Sequence, residues 1–291
     1  MSSTSTSTQP RDAVVVGVDH KSSSDRAVDE GIRAARTARK PLHLVYAAGV
    51  GLVPWSPEYL ASKDQFLRGC RDRVAQLAPH LTVTYAVHVA DPAAMLVKAS
   101  ETASLVVLGS AGLGQAADVL RGATTAKVIA HAHCPVMVTP QVGGWDAGGP
   151  IVVGVDAADH SLASLEWAFR EADLQGAPLV AVHTWWWEEP NPFLSGAEWE
   201  DAWVEVAQSQ KLELAEMLAG WHEKYPDVDV SPTLVRGQAA LVLEDMSDTA
   251  RLVVVGTRGR GGFTGLLLGS VSHHTAHHAH CPVVVVPSRR A

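Results

Sequence analysis

The chain repeats itself, and nothing else in it constrains the fold as strongly. Val14-Val15-Val16-Gly17-Val18-Asp19 returns 137 residues later as Ile151-Val152-Val153-Gly154-Val155-Asp156. Leu105-Val106-Val107-Leu108-Gly109 returns as Leu252-Val253-Val254-Val255-Gly256, and His131-Ala132-His133-Cys134-Pro135-Val136 as His278-Ala279-His280-Cys281-Pro282-Val283, each 147 residues on. Three blocks in the same order mark a tandem duplication of one domain. The ten residues gained by the second copy fall most simply between Trp185 and Trp199. Glycine-rich residues 141–149 read as a linker between a first domain at 12–140 and a second at 150–291. The Ser/Thr tract at the start makes residues 1–11 read as a disordered leader.

Within each copy, short apolar runs alternate with helical patterns. In the second, strands are expected at Ile151–Val155, Leu179–His183, Val228–Val235, Leu252–Val255 and Val283–Val286. Helices are expected at Ser161–Asp173, Glu198–Trp221, Ala239–Thr249 and Ser270–His278, and the first copy reads the same way from Ala13 to Thr139. This β/α alternation implies an α/β fold: an open parallel sheet with helices on both faces, because right-handed crossovers cover both sides. Pro135–Thr139 and Pro282–Val286 are expected to be edge strands, through which the two copies could pair.

Composition narrows the function. The 291 residues are 47% hydrophobic and 19% charged, as in a globular protein. With 23 Lys+Arg against 31 Asp+Glu, the formal charge of −8 opposes general nucleic-acid binding. No apolar stretch approaches the roughly 20 residues of a membrane helix. Three cysteines (Cys70, Cys134, Cys281) form neither a CxxC motif nor a disulfide framework, which fits a reducing cytoplasm.

The chemistry concentrates where Leu252–Val255 ends. Gly256-Thr257-Arg258-Gly259 is followed after nine residues by Gly269-Ser270, and then by a helical pattern. Glycines at a strand end let backbone approach a bulky anion, and a helix start offers unpaired N–H groups to it. Arg258 and Arg260 supply positive charge beside this phosphate cradle.

Together these residues resemble the universal stress protein family, in its tandem two-domain form. Gly256, Gly259, Gly269 and Ser270 fit the family's Gly-x2-Gly-x9-Gly-[Ser/Thr] motif without a gap, and the likeness runs from about Val14 to Pro287. The resemblance implies two tandem Rossmann-like domains, each a five-stranded parallel sheet in the order 3-2-1-4-5, binding ATP with Mg2+. It implies an ATP site formed by Gly154, Asp156, Thr184, Gly256, Thr257, Arg258, Gly259, Arg260, Gly261, Gly262, Gly269, Ser270, Val271 and Ser272, with the adenine near Asp156, His183 and Thr184. In the first copy the matching residues are Gly17, Asp19, Gly109, Gly112, Gly122 and Thr125. There Ala123 replaces the serine, while Ala111 and Leu113 replace the two arginines; Arg121 adds one cation. The second domain is therefore expected to be the stronger ATP site. The implied role is a cytoplasmic, homodimeric, nucleotide-dependent regulatory protein of the stress response, with an unnamed protein partner and no nucleic acid or membrane.

The motif segment carries no carboxylate between Gly256 and Ser272, so no catalytic residue is assigned and hydrolysis is expected to be slow at most. A genuine ATPase or phosphotransferase, and a nucleotide-independent interaction module, remain the alternatives. Asp156 has a second reading as a cap for the following helix. His273, His274, His277 and His278 have metal-ligand spacing. No acid or cysteine accompanies them in the same turn, so they read as solvated or packing residues and no metal site is expected. Cys134 and Cys281 read as small buried residues. Trp185-Trp186-Trp187, Trp199, Trp203 and Trp221 could equally stack on a base, form a partner surface, or pack the insertion and long helix.

Overall fold

The computed structural model describes residues 7–20, 22–49, 56–110, 119–140, 147–156, 161–185, 196–257 and 268–288. The chain divides into two compact units, residues 1–143 with 282–287, and residues 144–281 with 288–291.

In the first unit, strands β1 (Val14–Gly17), β2 (Leu42–Ala47), β3 (Val83–His88), β4 (Leu105–Gly109) and β5 (Val136–Thr139) alternate with helices α1 (Ser22–Ala38), α2 (Pro57–Leu77), α3 (Pro92–Ser100) and α4 (Val119–His131). The strands lie side by side in the order β3-β2-β1-β4-β5 and are mutually parallel. Val14, Val15 and Val16 are all buried, as expected of a central strand covered on both faces. Local chemistry starts the helices: Ser56 and Asp91 accept from the backbone N–H groups of Tyr59 and Ala94, and a proline follows each cap.

The last strand of the chain, β10 (Val283–Val286), groups with this first unit. It pairs antiparallel with β5, Val284 facing Met137. The two strands expected to pair with each other do so, and one expectation changes: the sheet is mixed, not purely parallel. Two short runs rich in buried valine satisfy each other's backbone, which removes an aggregation-prone edge.

The second unit holds strands β6 (Ile151–Val155), β7 (Leu179–Trp185), β8 (Val230–Arg236) and β9 (Leu252–Gly256), with helices α5 (Leu162–Gln175), α6 (Gly196–Lys224), α7 (Ala239–Met246) and α8 (Ser270–His278). Its parallel order is β9-β6-β7-β8. Within this unit β8 pairs with β7, and Pro232, which has no N–H to give, suits a strand bonded along one side. Helix α5 stops at Gly176, whose φ of 57° is a left-handed cap that donates back to Ala172.

The leader expected to be disordered is held from Ser7, and the end of the expected linker is packed. Ser7 exchanges hydrogen bonds with the backbone of Tyr85, and Gln9 donates to Ala99 O and Thr102 Oγ1. The leader is therefore anchored from Ser7 onward by its own polar side chains; residues 1–6 lie outside the described residues. Of the linker, residues 141–146 are likewise outside, whereas Gly149 is clamped. A Cβ there would stand 2.0 Å from the Thr249 carbonyl oxygen, and the Gly149 carbonyl accepts from Arg251 Nε at 2.6 Å. No helix among the described residues is long and apolar enough to cross a membrane.

Candidate functional site

In the second unit β6 is bonded to β7 on one side and to β9 on the other. This is the point where strand order reverses, and in open α/β sheets ligands bind outside the carboxyl ends of the strands at such a point. Asp156 follows β6, Thr184 lies near the end of β7, and Gly256 closes β9, so the parallel registers bring all three to the same end of the sheet. The fold thus gathers residues separated by a hundred positions.

The end of β9 is tied to the start of α8. Gly269 N donates to Thr257 O at 2.8 Å, and Ser272 Oγ reaches both Thr257 O (3.3 Å) and Gly269 O (3.0 Å). The buried Thr257 is the hub of this closure; its own hydroxyl accepts from Ser288 N at 3.3 Å. Gly269 is the extended N-cap of α8 and supplies no side-chain cap. The N–H groups of Ser270, Val271 and Ser272 therefore stand at a helix start where the α-helical pattern provides no acceptor. Ser270 is exposed, Val271 half-buried and Ser272 buried. Arg258, Gly259, Arg260, Gly261 and Gly262 lie outside the described residues.

At β6, Gly154 has a packing reason to be glycine: an added Cβ would stand 3.1 Å from Leu243 Cδ1 of α7. Asp156 is not the cap of α5, because Ser161 occupies that position. The Ser161 hydroxyl instead turns back, accepting from Asp156 N and bonding Asp156 O, both at 2.8 Å. It fixes the backbone that presents Asp156. Ser24 does the same for Asp19 N at 2.8 Å in the first unit. A serine five residues after each aspartate was a signal present in both copies, and sequence reasoning passed over it. His183 is buried, its ring nitrogens engaged by Val155 O (2.9 Å) and Gln210 Oε1 (2.6 Å). Its ring is thus committed to β6 and α6, which leaves the half-buried Thr184 as the neighbouring polar group of β7.

The first unit shares the packed glycine and the serine-held aspartate, and differs at the start of the helix that follows the glycine motif. Gly17 is packed, since a Cβ there would meet Leu108 Cδ2 at 2.6 Å. Asp19 is exposed, Gly109 half-buried and Thr125 buried; Gly112 lies outside the described residues. Helix α4 already begins at Val119, so Gly122 sits inside the helix instead of ahead of it, unlike Gly269. Beside Asp19 three rings of this unit pack on one another. His20 packs on Phe66 with centroids 4.1 Å apart, and Tyr46 meets His20 edge-on at 5.6 Å. Lys63 Nζ lies 2.8 Å from His20 Nε2. Burial first, then a hydrogen bond with Tyr59, pushes the Tyr46 hydroxyl up to about 12. This cluster comes from the turn after β1, from β2 and from α2, and left no local pattern to read.

Other candidates resolve through packing. Trp221 stacks on Phe169 at 5.5 Å beside Tyr225, a core role. Trp186 and Trp187, and the side chains of Trp199 and Trp203, lie outside the described residues. Cys134 is buried and its thiol is pushed up to about 12, and Cys281 is buried as well.

Comparison with known proteins agrees with this architecture. The sequence model of the Universal stress protein family matches twice, over residues 10–140 and 149–287. A universal stress protein of Mycolicibacterium smegmatis is 35% identical over 290 residues, 95% of this chain and 97% of that protein. One from Mycobacterium tuberculosis is 36% identical, covering 94% and 96%. The crystal structure of a universal stress protein from Archaeoglobus fulgidus superposes with a TM-score of 0.71 at 16% identity, covering 96% of this chain and 97% of that one, which is a likeness of fold. Two matched copies, and relatives aligned from end to end, lead to one conclusion: this chain belongs to the universal stress protein family.

Proposed function

We propose that the second unit binds ATP, with Mg2+, in the crevice at the ends of β6, β7 and β9, and that occupancy regulates the protein's association with a partner. The observation that carries this reading is the Gly269–Thr257 hydrogen bond beside the uncapped start of α8. It holds the end of β9 beside the first-turn N–H groups of α8, where one anion could meet both. Charge-assisted hydrogen bonds of this kind contribute about 1.5–3 kcal/mol each, so a few suffice for micromolar affinity, about 8 kcal/mol, after ordering costs. Asp156, Thr184 and Gly154 border the crevice on its base side, while Arg258, Gly259, Arg260, Gly261 and Gly262 complete the phosphate loop in this reading.

The first unit is the weaker site, because its helix start is lost and its own rings fill the space beside Asp19. The role is regulatory in this reading, with hydrolysis slow at most, since the phosphate-side residues Gly256, Thr257 and 268–272 carry no carboxylate to orient a water. The reading includes a cytoplasmic location, which suits three free thiols, and a homodimer.

Titration of the full chain with Mg·ATP, beside a Gly269→Ala/Ser270→Ala variant, tests the site. Affinity is expected to fall at least about tenfold, the effect of losing one such bond; unchanged affinity overturns the assignment. Phosphate release near 1 s⁻¹, the ordinary kinase range, would favour an enzyme instead.

A further inference from the structure

Glu244 on α7 and His274 and His278 on α8 offer three ligand atoms that lie within 4.8 Å of one another. His274 Nε2 is 2.6 Å from Glu244 Oε2. The His274 and His278 rings stack with centroids 4.3 Å apart, one helical turn from each other. Two histidines at i and i+4 with a carboxylate from a neighbouring element form a ligand set suited to zinc. The acid missing from the helix itself is thus delivered by tertiary structure.

We propose that these three residues bind one Zn2+, with a fourth position open to water or another ligand. Zinc bonds of about 2.0–2.2 Å place tetrahedral ligand atoms roughly 3.4 Å apart. The Glu244–His274 pair has to open by under 1 Å from its present 2.6 Å contact, and the remaining separations, none above 4.8 Å, have to close by at most about 1.4 Å, within reach of side-chain rotation. On binding, His274 has to present a nitrogen lone pair to the metal, so the Nε2–H that faces Glu244 gives way to the Nδ1–H tautomer and the carboxylate turns from hydrogen bond to ligation. His278 is exposed, while Glu244 and His274 are half-buried, so the ion enters from solvent onto a partly ordered pair. Bound there, zinc would staple α7 to α8, the helix whose first residues form the proposed phosphate site. The inference stands independently of nucleotide binding. The first unit lacks the set: the residues 147 positions earlier are Val97, Lys127 and His131, and His131 Nδ1 is engaged with Lys127 O. One ion per chain is therefore expected.

Equilibrium dialysis of the untagged full chain against zinc chloride, with metal analysis, tests this. Wild type should bind one zinc, and His278→Ala and Glu244→Gln should weaken binding on the order of 100-fold, at least the cost of an outer-shell change. His273→Ala, at an exposed histidine outside the set, should bind as wild type does. Cobalt(II) in place of zinc should give the intense visible absorption of a tetrahedral site, lost in His278→Ala. Equal zinc affinity in wild type and His278→Ala overturns the proposal, and so does a loss confined to His273→Ala. Circular dichroism of each variant confirms that the helices are intact, so that a loss reports ligation.

Discussion

The backbone N–H of Gly269 donates to the carbonyl of Thr257 at 2.8 Å, joining the entrance of α8 to the exit of β9 across twelve residues. The Ser272 hydroxyl reinforces the closure from within the helix. Ser272→Ala removes a hydrogen bond worth about 0.5–1.5 kcal/mol, so Mg·ATP affinity should fall roughly two- to tenfold by calorimetry. Thr125→Val, at the matching position of the first unit, should leave the affinity unchanged. Equal losses in both variants would contradict the inequality of the two sites.

Gly149→Ala should destabilise the second unit. Its Cβ would lie 2.0 Å from Thr249 O and 3.2 Å from Arg251 N, both backbone atoms that cannot rotate away. Overpacking of this kind costs about 1–3 kcal/mol. Urea unfolding followed by tryptophan fluorescence should show a lower midpoint; an unchanged midpoint would mean that the 147–149 segment moves freely.

Stability should depend on pH through His43. Burial, and then the neighbouring His88, lowers its pKa to about 4 from the usual 6.5, and its ring is hydrogen-bonded with Thr84 Oγ1 at 2.7 Å. The unfolded chain takes up this proton first, so the contribution is complete above pH 6.5 and is lost as pH falls towards 4. The loss is on the order of 3 kcal/mol. Burial lowers His88 too, acting in the same direction, whereas burial raises Glu30 and Glu171 and opposes it. The decisive measurement is therefore the difference in unfolding free energy between wild type and His43→Gln. That difference should change across this window and stay flat above it.

Cys134 and Cys281 should not react with a thiol reagent in the native protein. Both are buried, and only the thiolate attacks, a form that a pKa of about 12 makes scarce at Cys134. Half-buried Cys70, raised by burial to a lesser degree, should react slowly. All three should be modified rapidly in denaturant. Prompt reaction of two or more thiols under native conditions would show that the core around β5 or β10 opens readily.

The sequence was enough to establish the duplication, the strand and helix periods, and the place of the glycine motif. These are local properties: buried valine runs, cap residues and glycine spacing act within a few residues of chain, and both copies carry them. Helix α8 and strand β10 keep the bounds expected for them, while α6 runs from Gly196 to Lys224, beyond its apolar pattern. What tertiary structure alone decided depends on partners distant along the chain. β10 satisfies β5 because two edges need acceptors and donors whichever copy they come from. His20, Tyr46 and Phe66 pack together beside Asp19 because α2 packs on β2 there. Glu244 meets His274 because α7 packs on α8. A helix face lists which side chains are available; only the packing of one face on another brings a carboxylate within bonding distance of an imidazole thirty residues away.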